Sequence, residues 1–534
     1  MSTVRVRSLT GLPFSRGTAP FRRRRPHSPA GETPHISPPN YGTHSSRLPS
    51  PTPPPGPSHP PEPITTPPYT LEHRINGGRM TIPRNAVDIA RAVSAGRITA
   101  RATIQAALER IDALDPDLNA FTVVRREAAL READALDRRI AAAGPGAAGP
   151  LAGVPVAVKE EYDVAGEVTT LGGRGNSSPA RADCAVVGRL RQAGAIIVGR
   201  TNMPEFGQFP VGESAHHGDC LNPWDPARSP GGSSAGSAVA VATGAVPVAM
   251  GSDGGGSLRI PASACGVLGL KPTRGRVSSA PSADHWFGLA GFGALTRTAH
   301  DLAVVMDVIS GNEPVDRWRL DAPTRRFVDA VDAPPPRLRI LLAANAVMPG
   351  ACSTPPVAQA VDGLAARLRK LDHDVRTARV AWPVPTAPFL TLYFAGMHVE
   401  AQQVEHPDRL ESRTRTSARL GALIPQPVVR AALRQAKRVR DGVEAAFGSA
   451  DLLMLPTLLD LPGGAQDLRG RGWTAAMLAS TPVVSNTAIF NVSGHPALSV
   501  PAGLSQGLPV GTQLVARTGR EDLLLAVAAQ LHTH

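Results

Sequence analysis

Residues 229–273 read SPGGSSAGSAVAVATGAVPVAMGSDGGGSLRIPASACGVLGLKPT, and their pattern decides the fold. Composition alone fits a flexible Gly/Ser linker. Context excludes that reading, because both glycine-rich runs are stitched into apolar helix and strand patterns. Residues 234–243 read as a helix of small residues, and 246–250 continue a strand–helix alternation. A phosphate loop is excluded as well, since no Lys follows the glycines before Lys271. Ser257 is flanked by Gly256 and Leu258, so it does not sit in a G-x-S-x-G nucleophile elbow.

Working outward, 154–158 forms the first strong strand, 186–192 a helix and 195–198 a short buried strand. Segments 302–309, 338–343 and 357–371 continue the alternation, and strands return at 452–455, 497–500 and 511–515. Such alternation predicts an α/β fold with a large mixed β-sheet core covered by helices on both faces. Three helices precede the sheet: one from Asn85, one N-capped by Thr99, and one over 125–142 that Gly144-Pro145-Gly146 ends. Residues 382–440 lack the rhythm and read as a helical insertion that faces substrate.

Residues 1–79 hold 18 of the 53 prolines, ten Arg, no Lys and three acids, a net charge of +7. The other 455 residues carry only +5 of the chain's +12. Such a stretch cannot bury enough apolar surface to fold, so disorder is expected, with a translation start at Met80 and a catalytic domain over 80–534. With the basic excess in that segment, the charge is no argument for nucleic-acid binding. Cys184, Cys220, Cys265 and Cys352 lie far apart, without metal-ligand spacing, and are expected to be buried or inert thiols. His216-His217 has no further ligand at metal spacing. No apolar stretch approaches the roughly 20 residues that span a bilayer, and no export signal is evident, so a cytoplasmic protein is expected.

The 229–273 stretch resembles the signature of the amidase signature family, G-G-S-S-x-G-S followed by [GS]-x-D-x-G-G-S-[IL]-R-x-P-[AS]. GVPVAVKEEYDVAG (153–166), GRTNMPEFG (199–207) and FNVSGHPALSVPAGLSQGLPVGTQLVA (490–516) match other blocks of the family in order. The resemblance implies a nucleophile at Ser257, a bridging serine at Ser233 beside a cis peptide bond, and a base at Lys159. It also places Gly207 where backbone lines the cleft beside Ser233. A serine hydroxyl needs a neighbour to take its proton. Ser233 suits a relay to Lys159, and Lys159 accepts only if burial keeps it neutral. The N–H groups of Gly254, Gly255, Gly256 and Ser257 suit an oxyanion hole. Ser234, Asp253 and Arg259 are read as supports of that loop.

Glu160 stands where Asp is common, Ala235 where Gly is common, and Gly254 where Thr or Ile is common. The extra glycine at 254 is expected to loosen the oxyanion loop. Trp286, Phe287, Phe292, Tyr393 and Phe394 could line a pocket or simply fill core. The implied reaction is hydrolysis of a small-molecule carboxamide through an acyl-enzyme, with no metal or cofactor and, by analogy, a homodimer. Two alternatives are weighed. The A subunit of a tRNA-dependent amidotransferase is disfavoured because residues 385–445 hold nothing like A-S-S-N-L-A-R-Y-D-G-x-R-Y-G. An inactive scaffold is disfavoured by the complete Ser257–Ser233–Lys159 set.

Overall fold

A computed structural model describes residues 82–533. The 1–79 extension and Met80 lie outside the described residues. Among those described, eleven strands form one sheet: β1 (Phe121–Val124), β2 (Pro155–Lys159), β3 (Ile196–Thr201), β4 (Val248–Asp253), β5 (Leu268–Lys271), β6 (Gly291–Thr296), β7 (Arg339–Ala343), β8 (Asp374–Ala378), β9 (Leu452–Pro456), β10 (Ala497–Ser505) and β11 (Leu508–Ala516). Their order is β1-β3-β2-β4-β6-β5-β10-β11-β9-β7-β8. β2 runs parallel to β3 and β4, and β7 runs parallel to β8 and β9, while the centre of the sheet is antiparallel. The mixed α/β sheet therefore matches the expectation.

β9 shows why both faces need cover. Leu452 and Met454 join one hydrophobic cluster, whereas Leu453 and Leu455 join another. The first cluster includes Ile104 and Leu108 of the helix Ala100–Leu118 and Leu364 of the helix Pro355–Lys370. The second includes Leu392 and Tyr393 of the helix Thr386–Ala401 and Val439 of the helix Gln426–Ala446. A strand buried on both sides reads as a continuous apolar run, as LLMLP does.

The helix after Thr99 begins where expected, with the Thr99 hydroxyl accepting from Ala102 N at 3.0 Å. β4 was expected over 246–250 but runs to Asp253. Val246 is drawn instead into the preceding turn by its N–H bond to Ala240 O, and Ser252 and Asp253 pair with β6. Four strands are invisible to periodicity: β1 and β5 have four residues each, β8 is mostly exposed, and β6 carries two glycines. The 382–440 stretch holds the helices Thr386–Ala401, Ser412–Ala422 and most of Gln426–Ala446. No helix among the described residues is long and apolar enough to cross a membrane.

Candidate active site

β2 and β4 are neighbouring parallel strands, and the site grows from their carboxyl ends, as is usual in α/β sheets. β2 is buried along its whole length and delivers Lys159, fully buried, at its last position. The next residue anchors that strand end. Glu160 accepts from Arg200 Nε at 2.9 Å and Thr122 Oγ1 at 2.6 Å, with Arg200 and Glu160 both fully buried. The Glu160 departure from the family pattern thus keeps its carboxylate paired.

Lys159 Nζ donates to Ser233 Oγ at 2.8 Å and to Ser252 Oγ at 2.9 Å. Glu161 Oε1 lies 3.3 Å from the same nitrogen, as a charge contact outside hydrogen-bond alignment. Burial pushes the Lys159 ammonium below its ordinary range, and the Glu161 carboxylate opposes that effect without cancelling it. Ser233 follows a cis Gly232–Ser233 peptide bond and precedes the helix Ala235–Ala242. Gly207 (φ +64°) closes in from the other side. A Cβ there would stand 2.8 Å from Ser233 Oγ, so only glycine leaves that hydroxyl room.

Residues 254–257 follow β4 as a tight loop. Its shape rests on a buried ion pair: Asp253 accepts from Arg259 Nη2 at 2.8 Å and Nε at 2.9 Å. Burial pushes the Asp253 carboxyl up, but Arg259 outweighs it and holds the group at about 2. Arg259 also reaches Thr487 O, Gln513 Oε1 and Asn491 Oδ1 at 2.7–3.0 Å. Ser234 ties the two serine loops together, its N–H donating to Ser257 O at 3.2 Å and its hydroxyl to Ser252 O at 3.1 Å. The N–H groups of Gly254, Gly255, Gly256 and Ser257 have no acceptor among the described residues. Ser257 is 8% exposed, and its hydroxyl has no hydrogen-bond partner among them.

A family model described as Amidase matches residues 102–525. The chain belongs to the amidase family. It is 40% identical over 449 residues to AmiB2 of Mycobacterium tuberculosis, covering 83% of this chain and 94% of that protein. It is 36% identical over 482 residues to the 6-aminohexanoate-cyclic-dimer hydrolase of Paenarthrobacter ureafaciens, covering 84% of this chain and 94% of that one. A solved structure of 6-aminohexanoate cyclic dimer hydrolase shares 32% identity and superposes with a TM-score of 0.79, over 85% of this chain and 97% of that chain.

In this amidase a cavity of about 180 Å³ opens on Ser257, Gly255 and Gly207. Its walls include Phe209, Trp286, Phe389, Tyr393, Met477 and Val484, and none of its described lining residues carries a charge. Tyr393 is held by its hydroxyl on Gln208 O at 3.2 Å, and Trp286 meets it edge-on. Of the aromatic candidates, Trp286 and Tyr393 line this cavity, Phe287 and Phe292 line another, and Phe394 packs on Tyr393 and Trp473. Gly254 also has a steric reason: a Cβ there would stand 2.7 Å from the Trp286 ring.

Sequence reasoning missed Ser252, Asn491 and Thr487. Asn491 Nδ2 donates to Asp253 O at 2.6 Å, and Thr487 Oγ1 donates to Gly255 O at 2.5 Å. Asn491 lies in the matching 490–516 block, which was the available signal; Thr487 precedes it and offered none. The bland candidates are accounted for. His216 Nδ1 accepts from Arg174 Nε at 3.0 Å, and His217 Nε2 meets Thr170 Oγ1 at 3.2 Å. Cys184, Cys220 and Cys265 are buried, and Cys352 is exposed in the coil before the helix Pro355–Lys370.

Proposed function

We propose that this amidase hydrolyses an uncharged, largely apolar carboxamide through an acyl-enzyme on Ser257. Ser233 relays the proton and Lys159 receives it. The observation that carries the reading is the buried Lys159–Ser233 hydrogen bond of 2.8 Å beside a loop of unclaimed N–H groups that ends at Ser257. Ser257 attacks the amide carbon, and its proton passes through Ser233 to neutral Lys159. The carbonyl oxygen, now negative, takes hydrogen bonds from the N–H groups of the 254–257 loop. Lys159 returns the proton through Ser233 to the leaving nitrogen, and water repeats the path to release the acid. The Ser257–Ser233 contact is open in the free enzyme, and catalytic contacts of this kind commonly tighten on substrate binding.

The cavity argues the substrate class. A charged group there would lose its hydration with no counter-charge in return. The helices Thr386–Ala401 and Trp473–Val484 supply Phe389, Tyr393, Met477 and Val484, which supports reading the 382–440 stretch as substrate-facing. An uncharged ring amide fits such walls as well as a linear one, and the similarity to a cyclic-dimer hydrolase makes cyclic diamides the first compounds to try. The test is fluorophosphonate labelling beside an amide panel, with Ser257→Ala as the control. Labelling and turnover should both vanish in Ser257→Ala while the variant still folds. Turnover that survives the substitution overturns the assignment of the nucleophile.

A further inference from the structure

A second cavity, of about 360 Å³, shares with the Ser257 cavity only one lining residue, Trp286. We propose that this cavity is a binding site for a small organic ammonium ion, facing Glu161, and that its occupation favours the neutral form of Lys159. The coupling to Lys159 rests on the reading of that residue as the base; the binding site itself does not.

Glu161 carries the argument. Its side chain is 6% exposed and lines the second cavity, and Oε1 has no hydrogen-bond donor among the described residues. The nearest cation is Lys159 at 3.3 Å, whose ammonium points its hydrogen bonds at Ser233 and Ser252 instead. Burial already disfavours the Lys159 ammonium, and when that proton leaves, Glu161 keeps only a share of the His285 charge, which Glu400 already engages, so the buried carboxylate is left undercompensated. A cation in the cavity removes that penalty.

The remaining acids on its walls are already engaged. Asp163 accepts from Thr169 Oγ1 at 2.6 Å, and Asp284 accepts from Trp318 Nε1 at 3.0 Å with Arg317 at 3.3 Å. Glu400 sits 2.6 Å from His285 Nε2; burial pushes that imidazole down, but Glu400 and, to a lesser degree, Glu161 outweigh it and hold the ring above its usual range. The Cys184 thiol is pushed up to about 11 by burial and stays neutral.

The rest of the wall chooses the kind of cation. Tyr162 and Phe292 pack with ring centroids 4.8 Å apart, and Trp286 and Phe287 complete an aromatic side. Aromatic rings lining the same cavity as one unsatisfied carboxylate suit an alkylammonium. A metal ion wants several hard ligands at once, and no group of three His, Cys, Asp or Glu side chains arranged for that occurs among the described residues. A primary amine is also what amide hydrolysis releases when the substrate is N-substituted.

The sign of the coupling is fixed. The negative charge of Glu161 keeps the proton on Lys159. Neutralising that charge, by a bound cation or by Glu161→Gln, therefore moves the acid limb of the rate profile to lower pH. The probe is n-butylammonium chloride, compared with sodium chloride at equal ionic strength, on the full chain. Calorimetry on Ser257→Ala, which needs no turnover, should show saturable butylammonium binding. Adding Glu161→Gln should weaken it about tenfold or more, the loss expected for one charge-assisted contact. Val399→Trp, which keeps Glu161 but fills the cavity from the helix Thr386–Ala401, should abolish binding.

In the active enzyme, butylammonium should shift the acid limb downward. Glu161→Gln should start with the limb already shifted and should not respond. Absent binding, or binding that both Glu161→Gln and Val399→Trp leave untouched, overturns the site. A rise in KM alone, with an unmoved acid limb, places the amine in the Ser257 cavity and also overturns it. A chain that binds butylammonium in this pattern yet hydrolyses no amide keeps the site and sinks the proposed function instead.

Discussion

The two cavities that meet at Trp286 are built from opposite materials. The one at Ser257 has aromatic and aliphatic walls and no charged lining residue; the other carries Glu161, Asp163, Asp284, His285, Arg317 and Glu400. Lys159 lies between these environments, bonded to Ser233 toward the first and in charge contact with Glu161 of the second. A buried lysine can serve as a base only if its surroundings disfavour the ammonium. On the proposed mechanism, the contrast puts control of the proton on the side away from the amide.

Several substitutions test that division. Lys159→Ala should have the largest effect, a fall in kcat of about 10⁴-fold or more with loss of the acid limb, read from a pH–rate profile. A limb that stays in place would remove Lys159 from the role of base and dissolve the comparison. Next, Arg259→Met leaves Asp253 buried without its partner and should cost about 3–5 kcal/mol in a denaturant melt.

The same ion pair predicts a pH dependence of stability. Asp253 titrates at about 2 in the folded chain, below its ordinary 3.8. Its stabilisation is complete above that ordinary value and disappears as pH falls toward 2. Acid melts of wild type and Arg259→Met should therefore converge at the acidic end, and parallel curves would rule the pair out as the cause.

Trp286→Ala removes the shared wall and admits the charged cavity to the apolar one. KM for apolar amides should rise about tenfold, with a stability cost of about 3 kcal/mol for the lost ring. An unchanged KM would mean that the two spaces are not separated by this residue. The smallest effect is expected from Val384→Asp at the cavity mouth, where Val384 is 67% exposed. Neutral substrates should lose a few-fold in kcat/KM, about 1 kcal/mol, and amides with a cationic tail should lose less.

Much of the candidate catalytic centre was legible in the chain because its residues are close in sequence and chemically unusual. Ser233, Ser234, Asp253, Ser257 and Arg259 lie within the quoted 229–273 stretch, and Lys159 follows an apolar strand. Ser252 was overlooked although it lies in the same stretch. Its role depends on β2 and β4 being neighbours, which no local pattern states. The strand β6 was hidden for a related reason: Gly293 makes room for the close approach of Leu270 O, and its two glycines weaken the apolar signal. The helix Thr386–Ala401 announced itself only as broken rhythm, because it is apolar all round rather than on one stripe.

By itself, the sequence determined the α/β class, the family resemblance and the candidate reactive side chains, since these depend on local propensity and on motifs that span a few residues. Tertiary structure alone decided which surfaces those side chains face. Glu161 is two residues from Lys159, yet the cavity it faces is completed by His285, just before the short helix Trp286–Gly288, and by Glu400 of the helix Thr386–Ala401, both more than a hundred residues away. Burial, charge compensation and cavity shape are sums over such distant neighbours, and no window along the chain contains them.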